Sequence, residues 1–188
     1  MAEHEVPFVS QQGYREAQWR RFGCGTAALK MVLDYWHRRD PRNRTAEADD
    51  LYATGLEAGA FDPAFGWRHA GLVGLARSHG YEAYNVDAAP RSRHPMTAQE
   101  ALAELTRELS HGPVIASVYR DFDPGEGGGH LVVVTGDSGG ALLLNDPKPA
   151  QEADGRLVMS TRDFLPAFKH RYIVVRPRHE PTTSSQPG

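Results

Sequence analysis

Residues 22–36 read F-G-C-G-T-A-A-L-K-M-V-L-D-Y-W, and the run holds the single cysteine of a 188-residue chain. Ala27, Ala28, Met31, Val32 and Tyr35 recur at three-and-four spacing, which puts them on one face of a helix. That face is apolar, so the helix is expected to be central and buried. Gly23 and Gly25 flank Cys24 and let other groups approach the backbone beside the thiol closely. Cys24 then falls in the first turn, where unpaired N–H groups and the positive end of the helix dipole favour an anion. The dipole contributes ~0.3–2 kcal/mol, enough to lower a thiol pKa of about 8.5 by roughly one unit. Such a thiol is only mildly reactive. A good nucleophile also needs an imidazole, and without one Cys24 reads as a small core hydrophobe.

Outward from this helix, the first half of the chain is helical and the second half is stranded. Val6 to Gln11 reads as a short extended lead-in, and 11–21 as a polar loop anchored by Tyr14 and Trp19. The central helix is expected to stop near His37, before Pro41 and among Arg38, Arg39, Arg42 and Arg44. Thr45 is placed to cap a short helix closed by Gly55, and Ala70 to His79 forms another helix ended by Gly80. Tyr81 to Val86 reads as a strand, and Thr97 with Glu100 makes a capping box for a helix to Ser110. The period then changes. Strands are expected over 113–119, 130–135 and 141–145, the last two forming a hairpin through 136–140, and the 130–135 run is apolar enough for burial on both faces. A short helix over 160–169 and a strand over 172–176 follow, and 177–188 has the Pro/Ser/Thr-rich composition of a disordered tail. Segregated helices and strands define an α+β fold, with one domain over 1–176.

Composition narrows the function. With 24% charged residues and a net charge of -3, nucleic-acid or membrane-surface binding is not the main role. One cysteine permits neither an intramolecular disulfide nor a multi-cysteine zinc site, and no His pair has metal-ligand spacing, so no metal and no cofactor are expected. The start M-A-E-H-E-V-P carries no signal peptide and no run is long enough to cross a membrane, which leads to a cytoplasmic expectation. The Asp121–Gly125 segment has the flavour of a calcium loop, but Gly125 occupies a ligand position and no Glu closes it. The Gly-rich 121–129 segment reads equally as a gate over a cleft or a plain loop. Trp67 reads as core, with a groove wall as the second reading.

His130 opens the buried strand after Gly127-Gly128-Gly129, and Asp146 follows the partner strand in L-L-L-N-D-P. Singly, each is an ordinary structural or turn residue. Together they change meaning, because the start of one hairpin strand lies beside the end of the other. His130 and Asp146 are thus expected at one end of the sheet, with Asp146 steadying a ring nitrogen. Cys24, His130 and Asp146 supply the thiol, the imidazole and the orienting acid of a cysteine hydrolase.

The four motifs V-P-F-V-S-Q, G-C-G-T-A-A-L-K-M-V-L, G-G-H-L-V-V-V-T-G and L-L-N-D-P occur in that order from Val6 onward. In this the chain resembles the bacteriocin-processing cysteine peptidases, papain-like enzymes that cut leader peptides after a double glycine. The resemblance implies a papain-like fold, with the cysteine helix packed on a C-terminal antiparallel sheet. It implies Cys24 as nucleophile, His130 as general base and acid, Asp146 as orienting carboxylate, and a peptide or protein as substrate. It also implies a glutamine oxyanion donor: Gln11 matches the extended-segment-then-Gln pattern, and Gln18 matches the usual closeness to the cysteine. Gly23 stands where the family often has Asp. Processing peptidases of this kind are commonly fused to a membrane transporter, and the expectation here is a resemblance to the free-standing relatives. The same residues also serve an acyltransferase or peptide ligase, and a non-catalytic binding module on this fold is the rival from another class.

Overall fold

The computed structural model describes residues 2–178; most of the expected tail, residues 179–188, lies outside the described residues. The chain opens with the two-residue strand β1 (Ala2–Glu3) and then runs through helices α1 (Ala17–Phe22), α2 (Cys24–Arg39) and α3 (Ala48–Glu57). The small hairpin β2 (Phe61–Asp62) and β3 (Gly66–Trp67) precedes α4 (His69–Ser78), β4 (Tyr81–Asp87) and α5 (Ala98–Leu109). The stranded half comprises β5 (Val114–Val118), β6 (His130–Asp137), β7 (Ala141–Asn145), α6 (Glu152–Gly155), β8 (Arg156–Ser160), α7 (Thr161–Ala167) and β9 (Phe168–Pro177). Seven strands join in one sheet ordered β4-β9-β5-β6-β7-β8, with β1 added beside β6. All the pairings are antiparallel.

Strand alternation explains why the sheet is covered on both sides. Ile115, Leu131, Val133, Ile173 and Val175 join the core made by α2, α3 and α4. Their neighbours Val114, Ala116, Val132, Val134 and Val174 pack with Leu102, Leu105 and Leu109 of α5 and Phe164 of α7. Each such aliphatic side chain contributes about 1.5–3 kcal/mol when fully buried, so the buried face of α2 is strongly held to the sheet. The architecture is the expected α+β arrangement, with the cysteine helix packed on the antiparallel sheet.

Several local readings change. Residues 17–22 are helical, not loop: α1 lacks a side-chain cap, and Trp19 stacks on Tyr52 at 4.7 Å, so tertiary packing makes this short helix. Thr45 does not cap α3, whose N-cap is Glu47; its hydroxyl donates to Asp34 instead. Residues 6–10 join no strand, and 156–160, for which no strand was expected, form the edge strand β8. The final strand starts at Phe168, earlier than expected, and reaches Pro177, which pairs with Tyr81. The capping box of Thr97 and Glu100 is present.

Candidate active site

The start of α2 is fixed by two close approaches that only glycine allows. A Cβ on Gly23 would lie 2.3 Å from Cε2 of Tyr14, and one on Gly25 would lie 2.6 Å from Cγ of Trp67. Trp67 is buried, its indole N–H donates to the carbonyl of Phe22 at 2.7 Å, and it also lines the cleft over Cys24. Both readings of Trp67 therefore hold: it is a core residue and a groove wall. Cys24, the first residue of α2, keeps part of its surface open, and its backbone N–H lies outside the helix's own ladder.

His130 and Asp146 meet as the hairpin argument requires, though not by direct opposition. β7 ends at Asn145, which pairs with Val133, and a bulge separates the Val134 and Gly136 pairings. Asp146 leaves the ladder, donates its N–H to the carbonyl of Gly155 at 2.8 Å, and turns back to His130. Its Oδ1 accepts from Nε2 of His130 at 2.6 Å and from the backbone N–H of Lys148 at 2.9 Å. Both residues are buried. With Nε2 so engaged, Nδ1 is the ring nitrogen left over, and the thiol of Cys24 and the His130 ring act on each other's protonation.

The electrostatics follow from this relay. Burial acts to raise the Cys24 thiol, but the hydrogen bond and charge of His130 and the backbone N–H of Leu131 outweigh it and hold the thiol below its ordinary value. Burial acts to lower the His130 imidazole, but the hydrogen bonds to Asp146 and Cys24, with their negative charges, push it well above its ordinary value. Between those two pH values the thiolate–imidazolium pair is favoured.

Gln11 and Gln18 are separated clearly. Gln11 is 6% exposed and lines the cleft with Cys24 and His130, whereas Gln18 sits exposed on α1 and is not part of the cleft lining. One N–H of Gln11 Nε2 donates to the carbonyl of Arg20 at 2.7 Å; its Oε1 is buried and meets no donor among the described residues. The segment that carries it is tied to the loop following Asp146. Gln11 N–H donates to the Pro147 carbonyl (2.8 Å), Ser10 Oγ to Pro149 (2.6 Å) and Gln12 Nε2 to Lys148 (3.0 Å).

The cleft over these residues has a volume of about 880 Å³. Phe65, at the tip of the β2–β3 hairpin, lines it and is 87% exposed, an apolar side chain with nothing packed over it. Gly128 and Gly129 of the Gly-rich segment border the cleft, while Asp121, the first residue of the calcium-like stretch, pairs with Lys148. Sequence reasoning missed Phe65 and the cations of the far wall, Arg120, Lys169 and Arg171. No local pattern marks them: Lys169 and Arg171 reach the cleft only once β9 lies beside β5, and Phe65 only where the β2–β3 hairpin is set over Cys24. Among the described residues no group of three or more His, Cys, Asp or Glu side chains is disposed to hold a metal ion. No helix there is long and apolar enough to cross a membrane.

Such a fold, with a helix-start thiol facing a sheet-borne imidazole, is that of the papain-like cysteine peptidases. A C39-like peptidase from Bacillus anthracis superposes with a TM-score of 0.65 at 17% identity, over 96% of this chain and 100% of that one. A double glycine motif protease from an AMS/PCAT transporter, solved with the leader peptide, gives 0.58 at 21% identity, over 94% and 95% of the two chains. The peptidase domain of Streptococcus ComA, a bifunctional ABC transporter involved in quorum sensing, gives 0.58 at 20%, over 84% and 93%. A comparison with curated proteins finds no match. The model of the Peptidase_C39 like family matches residues 3–176: the chain belongs to that family and is a cysteine peptidase.

Proposed function

We propose that the chain hydrolyses peptide bonds through Cys24, His130 and Asp146, with Gln11 and the Cys24 backbone N–H as oxyanion donors. The observation that carries this reading is the 2.6 Å hydrogen bond between His130 Nε2 and Asp146, on a ring that lines one cleft with Cys24 and holds that thiol low. The Cys24 thiolate attacks the scissile carbonyl carbon, and the electron pair moves to the carbonyl oxygen. Gln11 has a second Nε2–H beyond the one given to Arg20, and this with the Cys24 N–H receives that oxyanion. His130 then passes its Nδ1 proton to the departing amine as the C–N bond breaks. Water attacks the thioester, returns a proton to His130, and releases the acid and the thiolate. Asp146 holds the ring and stabilises its charged form throughout. The substrate is a leader-bearing peptide cut after a pair of glycines, a reading supported by family membership and by the leader peptide bound to the AMS/PCAT relative.

The test is product mass from Gly-Gly-containing peptides, with wild type and Cys24→Ala, in water and with added amine. Hydrolysis by wild type alone, giving a free carboxylate at the cut, is expected. Equal turnover by Cys24→Ala would sink the assignment, and products found only as amides would show acyl transfer in its place.

A further inference from the structure

The protein carries a net charge of -3, yet its cleft is cationic. Arg21, Arg68, Arg120, Lys148, Lys169 and Arg171 line it, against one carboxylate, Asp87. Three of the six are paired off: Arg68 with Asp62 at 2.8 Å, Arg171 with Asp87 at 2.9 Å, and Lys148 with Asp121. Lys169 and Arg120 have no carboxylate within ion-pair distance among the described residues, and both bracket the Gly-rich turn that leads into His130. Lys169 Nζ donates to the Gly128 carbonyl at 2.6 Å and would lie 3.6 Å from a Cβ on Gly129; the Arg120 guanidinium would lie 3.2 Å from one on Gly128.

Lys169 is held there by an irregularity in the sheet. Arg171 pairs with Ser117 and Phe168 with Val118, so Lys169 and His170 bulge out of the ladder between them. His170 takes a left-handed φ of 54°, fixed by its carbonyl accepting from Ala88 N–H at 2.9 Å. Bulges of this kind re-aim side chains beside binding sites. This one sets the Lys169 ammonium half-buried, 4.9 Å from the Tyr119 ring centroid and within the field of Arg171. His69, which also lines the cleft, is pushed down to about 4 by burial and by Arg171, with a smaller contribution from Lys169, so it adds no charge at neutral pH. A partly buried ammonium with no acid of its own, beside a guanidinium that one carboxylate already offsets, leaves one positive charge facing the cleft for an anion to meet.

We propose that Lys169, with Arg120 and Arg171 beside it, receives a carboxylate of the substrate within a residue or two of the scissile bond. The inference rests on the peptidase reading of the cleft and adds a substrate class to it: acidic peptides. The carboxylate is that of an Asp or Glu side chain or of a peptide C-terminus, and the two sources are separable.

Fluorogenic peptides with a Gly-Gly junction, carrying Glu or Gln at each flanking position in turn, are cleaved by the full chain and kcat/KM compared. A parallel pair ends just past the junction as the free acid or the amide. At one position, or for the free acid, the anionic form is expected to be preferred by about tenfold at low salt, shrinking at about 0.5 M salt. The double variant Lys169→Gln/Arg171→Gln should bring the ratio to about one, and Lys169→Gln alone, which spares the Arg171–Asp87 pair, should lower it most of the way. Anisotropy of the same peptides on Cys24→Ala protein reads binding without chemistry. If the peptidase reading fails and this one holds, nothing is cleaved but the anionic peptides still bind more tightly, and the lysine variants lose that preference. Equal binding of anionic and neutral forms, or a preference unchanged in both variants, overturns the proposal.

Discussion

The two walls of the cleft are built by different means. One comes from α2 and the β2–β3 hairpin and is a packed aromatic surface: Trp67 lies on Gly25, its indole N–H is tied to Phe22, and Phe22 and Phe61 rings sit 5.5 Å apart. The other comes from the ends of β5, β6 and β9 and is polar: His130, Asp146 and the cations beside them are set by turns, a bulge and hydrogen bonds. The aromatic wall is positioned by contacts that tolerate no added volume. The polar wall is positioned by partners that tolerate no lost charge. Substitutions on the two should therefore fail differently, the first in stability and the second in chemistry.

The largest effect is expected on the polar wall. His130→Ala should lower kcat/KM by about 10⁴-fold or more while the protein remains folded. The same variant has a signature in thiol chemistry. Without the imidazole, the Leu131 N–H is left as the main group opposing the effect of burial on Cys24, so alkylation by iodoacetamide should need a higher pH than in wild type. A profile unchanged between the two would mean that the ring does not govern the sulfur.

Gln11→Ala should cost about 10²–10³-fold in kcat with little change in KM, the mark of a contact made to the transition state. Gln18→Ala is its control, exposed and outside the cleft, and should stay within about twofold. The reverse result would move the oxyanion assignment to α1. Asp146→Asn keeps an oxygen able to accept from His130 and Lys148 but removes the charge, so a loss of about 10²-fold is expected. Since Asp146 raises the imidazole, its neutral replacement lowers it, and the alkaline limb of the pH–rate profile should move to lower pH. An alkaline limb that stays in place would show that the carboxylate's charge is not what holds the proton.

The smallest catalytic change, and the clearest structural one, belongs to the aromatic wall. Gly25→Ala would drive a methyl into Trp67, and a destabilisation of about 1–3 kcal/mol is expected by thermal or urea unfolding. An unaltered midpoint would mean that Trp67 moves aside freely, and the contrast between the walls would lose its basis.

The same contrast explains what could be read in the chain beforehand. The apolar face of α2, the capping box at Thr97 and the buried run of β6 are local patterns, and they appear as expected. The meeting of His130 with Asp146 was legible because a hairpin relates nearby residues by simple geometry, even though a bulge alters the register. The α1 helix was not legible, since a six-residue segment with no cap depends on Trp19 finding Tyr52, 33 positions on. Thr45 looked like a cap but has a better partner in Asp34, which only tertiary structure brings near. The cations of the far wall were hidden for the same reason, because Lys169 reaches the turn before His130 only through the pairing of β9 with β5. That Gln11 lines the cleft and Gln18 does not likewise needed the fold of the lead-in segment.

That lead-in hangs from the carbonyls of Pro147, Lys148 and Pro149, directly behind Asp146. Gln11, the proposed oxyanion donor, and Asp146, the proposed orienting acid, are thus mounted on a common bracket. A fluctuation that peels Ser10 to Gln12 away withdraws the glutamine and slackens the carboxylate in the same event. The molecule should pass from competent to inert without visiting a form that keeps an armed thiol but has lost its discrimination.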